Sequence, residues 1–229
     1  MGQSIQLKAT DGFMCSAYLA LPKVPVRGAV VVVQEIFGVN SHIRAVAESY
    51  AMAGFLAIAP ATFDRVKKGV ELGYTSDDMN EGISLKAKVE ALQVPGVIAD
   101  LQAAVDYAAS NAKGKVAMVG YCWGGLLTWR SAELVRGLSA AVPYYGGGIT
   151  TEVESIRKPR CPVMTHFGDK DSHISIESVR AFEKNQPQVQ VNVYSADHGF
   201  NCDQRGSYDV KAADEALERT LAFLIKNFL

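Results

Sequence analysis

At 229 residues and 48% hydrophobic, the chain suits one α/β domain (residues 1–229) that buries a sizeable core without disulfide staples. A formal net charge of −1, with charges scattered and not in blocks, argues against a nucleic-acid or anionic-membrane partner. There is no basic-then-apolar leader, no apolar run long enough to span a bilayer, and no C-x-x-C pair among four distant cysteines. These features point to free thiols in the cytoplasm, with neither a disulfide framework nor a zinc site indicated.

In chain order, residues 4–9 and 13–20 read as strands joined by Thr10-Asp11-Gly12, because Asp-Gly between apolar runs signals a hairpin. The valine run in 28–34 suits a strand buried on both faces. The segment 35–40 leaves that strand. Ser41 is then placed to cap a helix with Ile43, Val46, Ala47 and Tyr50 on its apolar side. Residues 55–59 form the next strand. The stretch 61–93 is expected to cap one edge of a site and to end in a helix around 83–92. Pro95 opens a helix facing inward through Ile98, Leu101, Val105 and Ala108. Strands follow at 139–145, 162–167 and 189–194, with a helix near 176–182. A last helix is expected to bury Val210, Ala213, Leu217, Leu221, Leu224 and Phe228. After the hairpin, strand and helix alternate. A mostly parallel sheet with helices on both faces is predicted.

Residues 115–125, K-V-A-M-V-G-Y-C-W-G-G, carry the chemistry. A buried strand stops at Gly120, a helix begins past Cys122, and glycines stand two residues before and two after the cysteine. This is the spacing of a nucleophile elbow, where the chain turns so tightly that flanking side chains would collide with backbone. A helix start favours a thiolate and a developing oxyanion. In a parallel sheet, loops leaving the strand ends converge on one crevice. Four segments arrive there: Glu35 to Gly38, Cys122, the Gly168-Asp169-Lys170-Asp171 turn, and His198. The order nucleophile, acid, histidine is that of α/β-hydrolases. His198 is the expected base and Asp171, at the far end of its turn, the carboxylate that orients it; Asp169 serves the turn. His42 is read as solvated or capping, and His166 as an interior, hydrogen-bonded residue. The N–H of Trp123 and that of Ile36 are the expected oxyanion donors. Glu35, ending a buried strand, either pairs with a lysine or arginine or sits beside Cys122 and governs its protonation.

The motifs Q-E-I-F-G at 34–38, G-Y-C-W-G-G at 120–125, P-Y-Y-G at 143–146, G-D-K-D at 168–171 and H-G-F at 198–200 resemble the dienelactone hydrolase family across almost the whole chain. The resemblance implies a single α/β-hydrolase domain, no cofactor or metal, and carboxymethylenebutenolidase activity. Such activity opens dienelactone to maleylacetate in the breakdown of chlorinated aromatics. It places a Cys122, Asp171, His198 triad, a regulating Glu35 that takes the thiol proton on substrate binding, and oxyanion amides at Ile36 and Trp123. It also implies two arginines for the substrate carboxylate. Arg205 is one counterpart, but 61–93 offers only Arg65 and lysines for the other. Phe37 and Tyr144 are expected to line the pocket. The partner is then a small lactone or ester substrate, and the protein is expected to be a monomer or small homo-oligomer. A broader carboxylesterase or thioesterase is the alternative, and a redox-sensing or ligand-binding protein with an exposed Cys122 a further one.

Overall fold

The computed structural model describes residues 2–112 and 114–228. The chain runs β1 (Gln3–Lys8), β2 (Met14–Ala20), β3 (Ala29–Val33), α1 (Ser41–Met52), β4 (Leu56–Pro60), α2 (Ser76–Glu90), α3 (Gly96–Asn111), β5 (Val116–Tyr121), α4 (Trp123–Leu134), β6 (Leu138–Tyr144), α5 (Glu152–Ser155), β7 (Met164–Gly168), α6 (Ile176–Asn185), β8 (Gln190–Tyr194) and α7 (Val210–Asn227). The eight strands form one sheet in the order β1-β2-β4-β3-β5-β6-β7-β8. The hairpin β1–β2 joins β4 antiparallel, and the remaining pairs are parallel. This is the predicted α/β-hydrolase architecture.

Strand β3 shows why the sheet is layered on both sides. Successive side chains of a strand point to opposite faces, yet every residue from Ala29 to Val33 is fully buried. Each valine so buried contributes roughly 1.5–3 kcal/mol. From β3 the chain runs to β4 on one side, while β5 lies on the other. That reversal opens a crevice beyond the strand ends, between the segment after β3 and the segment after β5.

Three local readings change. Asn40, not Ser41, caps α1: its side chain accepts from Ile43 N–H at 3.2 Å and donates to the Leu72 carbonyl at 3.0 Å, so it fixes two segments at once. Helix α2 starts seven residues before the expected position, at a Thr75–Asp78 capping box. The buried side of α7 is Ala213, Ala216, Thr220 and Leu224, whereas Val210 is exposed and Leu217 and Leu221 are half-buried. The rotation brings Thr220 inward, where its hydroxyl meets Tyr144 Oη at 2.7 Å and His166 Nε2 at 3.0 Å.

Candidate active site

Gly120 and Gly124 make the turn between β5 and α4 possible. A Cβ on Gly120 would lie 2.1 Å from the Gly124 oxygen, and one on Gly124 would lie 2.3 Å from the Gln34 oxygen. Only glycine lets β5, α4 and the end of β3 approach so closely. Cys122 itself adopts φ +55, a strained left-handed backbone for a residue with a side chain. Its N–H is tied to the Tyr144 carbonyl at 3.1 Å, which locks the strained turn onto β6. Trp123 is the first residue of α4, so its N–H has no acceptor within the helix. The Trp123 ring stacks on Phe63 at 5.2 Å, and its Nε1 donates to Glu90 at 2.9 Å.

His198 follows β8, and its Nδ1 meets Asp171 Oδ2 at 2.7 Å. The other Asp171 oxygen accepts from the backbone N–H groups of His173 and Ile174, at 2.8 and 3.2 Å. Asp171 is buried and Asp169 exposed, as the choice between them requires. Burial opposes a charge on His198. The Cys122 sulfur beside it and the Asp171 hydrogen bond outweigh that effect and push the imidazole up to about 10. Burial pushes the other three thiols up, Cys15 to about 12, and Cys161 and Cys202 to about 11.

Cys122, His198, Ile36, Phe37, Trp123 and Arg205 share the lining of one cavity of about 250 Å³. Its far wall comes from α2, which contributes Met79, Ile83 and Lys86 at helical spacing. Gly82 sets this wall in place: a Cβ there would lie 2.3 Å from the Ile36 oxygen, so α2 crosses directly against the Ile36 peptide.

Glu35 is fully buried, with Arg205 Nη1 at 3.3 Å from one oxygen and the Tyr74 hydroxyl donating to the other at 3.2 Å. The pairing with an arginine, one of the two readings of Glu35, is therefore present. Arg205 is no surface residue, since its side chain is only 16% exposed and its guanidinium lies 5.9 Å over the Phe37 ring.

Other expectations are corrected. Tyr144 does not line the cavity: it is wholly buried, bonded to Thr220 and tilted against His166. The next residue, Tyr145, packs on His198 at 5.2 Å. Arg65 is unavailable to a substrate, because Asp100 and Asp11 hold its guanidinium at 2.7 Å each. His42 is buried, not solvated. Sequence reasoning passed over Lys86, although Met79, Ile83 and Lys86 are spaced for one helical face.

Residues 15–228 match the dienelactone hydrolase family. A carboxymethylenebutenolidase of Pseudomonas sp. strain P51 is 32% identical over 97% of this chain and 94% of its own. A Synechocystis protein provisionally named carboxymethylenebutenolidase is 35% identical over 89% of this chain and 88% of its own. Among solved structures, a Klebsiella pneumoniae protein provisionally described as a dienelactone hydrolase superposes with a TM-score of 0.81 at 30% identity, covering 98% of both chains.

Proposed function

Because the chain belongs to the dienelactone hydrolase family, it is a hydrolase of ester or lactone bonds, and we propose that it opens a small carboxylated lactone of the dienelactone type through an acyl-enzyme on Cys122. One observation carries this reading: a strained cysteine at a helix start and a histidine held by a buried carboxylate open into one cavity that also presents two cations. Cys122 attacks the lactone carbonyl as a thiolate, and the N–H groups of Trp123 and Ile36 receive the oxyanion. Collapse of the tetrahedral adduct breaks the ring C–O bond and leaves a thioester. His198 supplies the proton for the leaving oxygen and then takes one from the water that hydrolyses the thioester.

Arg205 couples substrate binding to thiol activation. It faces the cavity and pairs with Glu35. A substrate carboxylate competes for the guanidinium and releases Glu35 to take the Cys122 proton. Lys86 is the second cation, in place of Arg65, whose guanidinium is held by Asp11 and Asp100. Together with the family relationship, this supports a role in aromatic-compound breakdown, for which the cytoplasm is the proposed place. The apolar wall of Phe37, Met79 and Ile83 favours a second reading, a broader carboxylesterase on the same machinery.

The test compares ultraviolet loss of dienelactone with p-nitrophenyl acetate hydrolysis while iodoacetamide is titrated in. Labelling should fall on Cys122, with both activities lost in step. If another cysteine labels first and activity follows it, the nucleophile is wrong. Faster turnover of the neutral ester would favour the broader esterase.

A further inference from the structure

Behind the nucleophile, three side chains from three separate segments converge: Glu35 after β3, His42 in the first turn of α1, and Cys202 in the loop beyond His198. A carboxylate oxygen, an imidazole nitrogen and a thiol sulfur there all lie within 4.8 Å of one another. All three residues are buried, His42 with only 3% exposure. His42 is oriented as metal-ligating histidines are, with one ring nitrogen facing a carboxylate and the other left over. Its Nδ1 lies 3.4 Å from Asp203, and its Nε2 is buried with no hydrogen-bond partner among the described residues. An unpartnered imidazole nitrogen in so dry a place needs a reason. Asp203 is 65% exposed, so His42 stands one side chain away from solvent.

We propose that Glu35, His42 and Cys202 form an inhibitory site for a borderline divalent cation, with Zn2+ the best fit. One sulfur, one nitrogen and one oxygen donor suit zinc and its neighbours; Ca2+ and Mg2+ demand oxygen ligands. Zinc holds such ligands at about 2.0–2.3 Å, so the donors need close in by only about an ångström. On binding, an S–Zn bond replaces the Cys202 S–H bond and one proton passes to solvent, with no change of oxidation state. Glu35 then exchanges Arg205 for the metal and is withheld from Cys122. This effect on catalysis rests on the role proposed for Glu35, whereas the binding does not.

The experiment titrates Co2+, whose thiolate charge-transfer absorption reports sulfur ligation, into the wild-type protein, Cys122→Ala, Cys202→Ser and His42→Gln. The expected result is one equivalent bound, with the band present in wild type and Cys122→Ala and absent in Cys202→Ser. His42→Gln should bind at least about tenfold more weakly and serves if Cys202→Ser does not fold. A band that survives Cys202→Ser and vanishes in Cys122→Ala would put the metal on the nucleophile and overturn the site, as would the absence of binding. In parallel, Zn2+ should inhibit wild-type hydrolysis and act at least about tenfold more weakly on His42→Gln. Equal inhibition of both would overturn the inhibitory role. Binding without inhibition would remove that role and the function given to Glu35, and leave the metal site standing.

Discussion

Two buried histidines stand near one end of this sheet and behave in opposite ways. His166, on β7, is bonded to two neutral hydroxyls, those of Tyr194 at 2.8 Å and Thr220 at 3.0 Å. Burial, with help from Arg219, pushes it down to about 3. His198 is nearly as buried, yet it faces a carboxylate and a thiol and is pushed up to about 10. The difference teaches that burial alone does not make a base. The partner decides which form of the ring the interior favours.

The pair also divides the pH dependence of stability. A histidine raised above its unfolded value of about 6.5 contributes stability that is complete below that value and is lost as pH climbs. For His198 the loss runs from about 6.5 to about 10. A histidine pushed down works the other way: below about 6.5 the unfolded chain takes a proton that native His166 refuses, so stability falls from there toward about 3.

Asp171→Asn attacks the contrast most directly, since it gives His198 a neutral partner like those of His166. Turnover should fall by about 10³-fold or more, and the wild-type loss of stability above neutral pH should flatten. Stopped assays and melting curves at several pH values check both. Full turnover would mean that Asp171 only builds its turn. Glu35→Gln leaves both histidines alone and removes the second carboxylate of the site. A turnover lower by about 10- to 100-fold in a folded protein is expected. A lower melting temperature at unchanged turnover would reduce Glu35 to an ion-pair partner of Arg205.

Lys86→Met separates charge used for choice from charge used for chemistry. Arg205 is less suited to this test, because truncating it strands a buried Glu35. Lys86→Met should lower kcat/KM for dienelactone by about 10-fold, at roughly 1.4 kcal/mol per tenfold, for a lost contact to a charged group. Hydrolysis of p-nitrophenyl acetate should stay within about threefold. Equal losses on both would make Lys86 a support for α2. The smallest effect on rate belongs to His166→Gln, within about threefold. Its stability at pH 7 should drop by about 1–3 kcal/mol, and its decline toward acid should be shallower than in wild type. A large loss of turnover would bring His166 into the catalytic apparatus.

Where sequence pattern mirrors burial, the fold was legible before any coordinates. The valine run, the Asp-Gly turn and the spaced glycines around Cys122 each translate a local constraint into a local signal. Cys122, Asp171 and His198 could be brought together from sequence because each closely follows a strand end, and the loops leaving the strand ends of a parallel sheet converge. Legibility failed where the decisive partner lies far along the chain. Nothing near Arg65 announces Asp100, and nothing near Thr220 announces His166. The early start of helix α2 escaped the hydrophobic pattern because its first turns are polar, with Met79 the only large apolar side chain in the helix before Ile83. Tyr144 and Tyr145 differ by one position, and only the backbone, with φ +34 at Tyr145, decides which ring reaches His198.

The crossing of α2 at Gly82 has a consequence for how such an enzyme can change. Cys122 and the Ile36 peptide follow the neighbouring strands β5 and β3 and are spaced by the sheet. Met79, Ile83 and Lys86 belong to a helix whose outer side is exposed, with Ile83 itself 53% accessible. Substitutions along that stripe can retool which acids and esters are accepted at little cost to the fold, so long as residue 82 stays glycine and the helix keeps its seat. The molecule thus separates an inherited reaction from a negotiable diet, and a library confined to three positions of one helix is the place to look for new substrates.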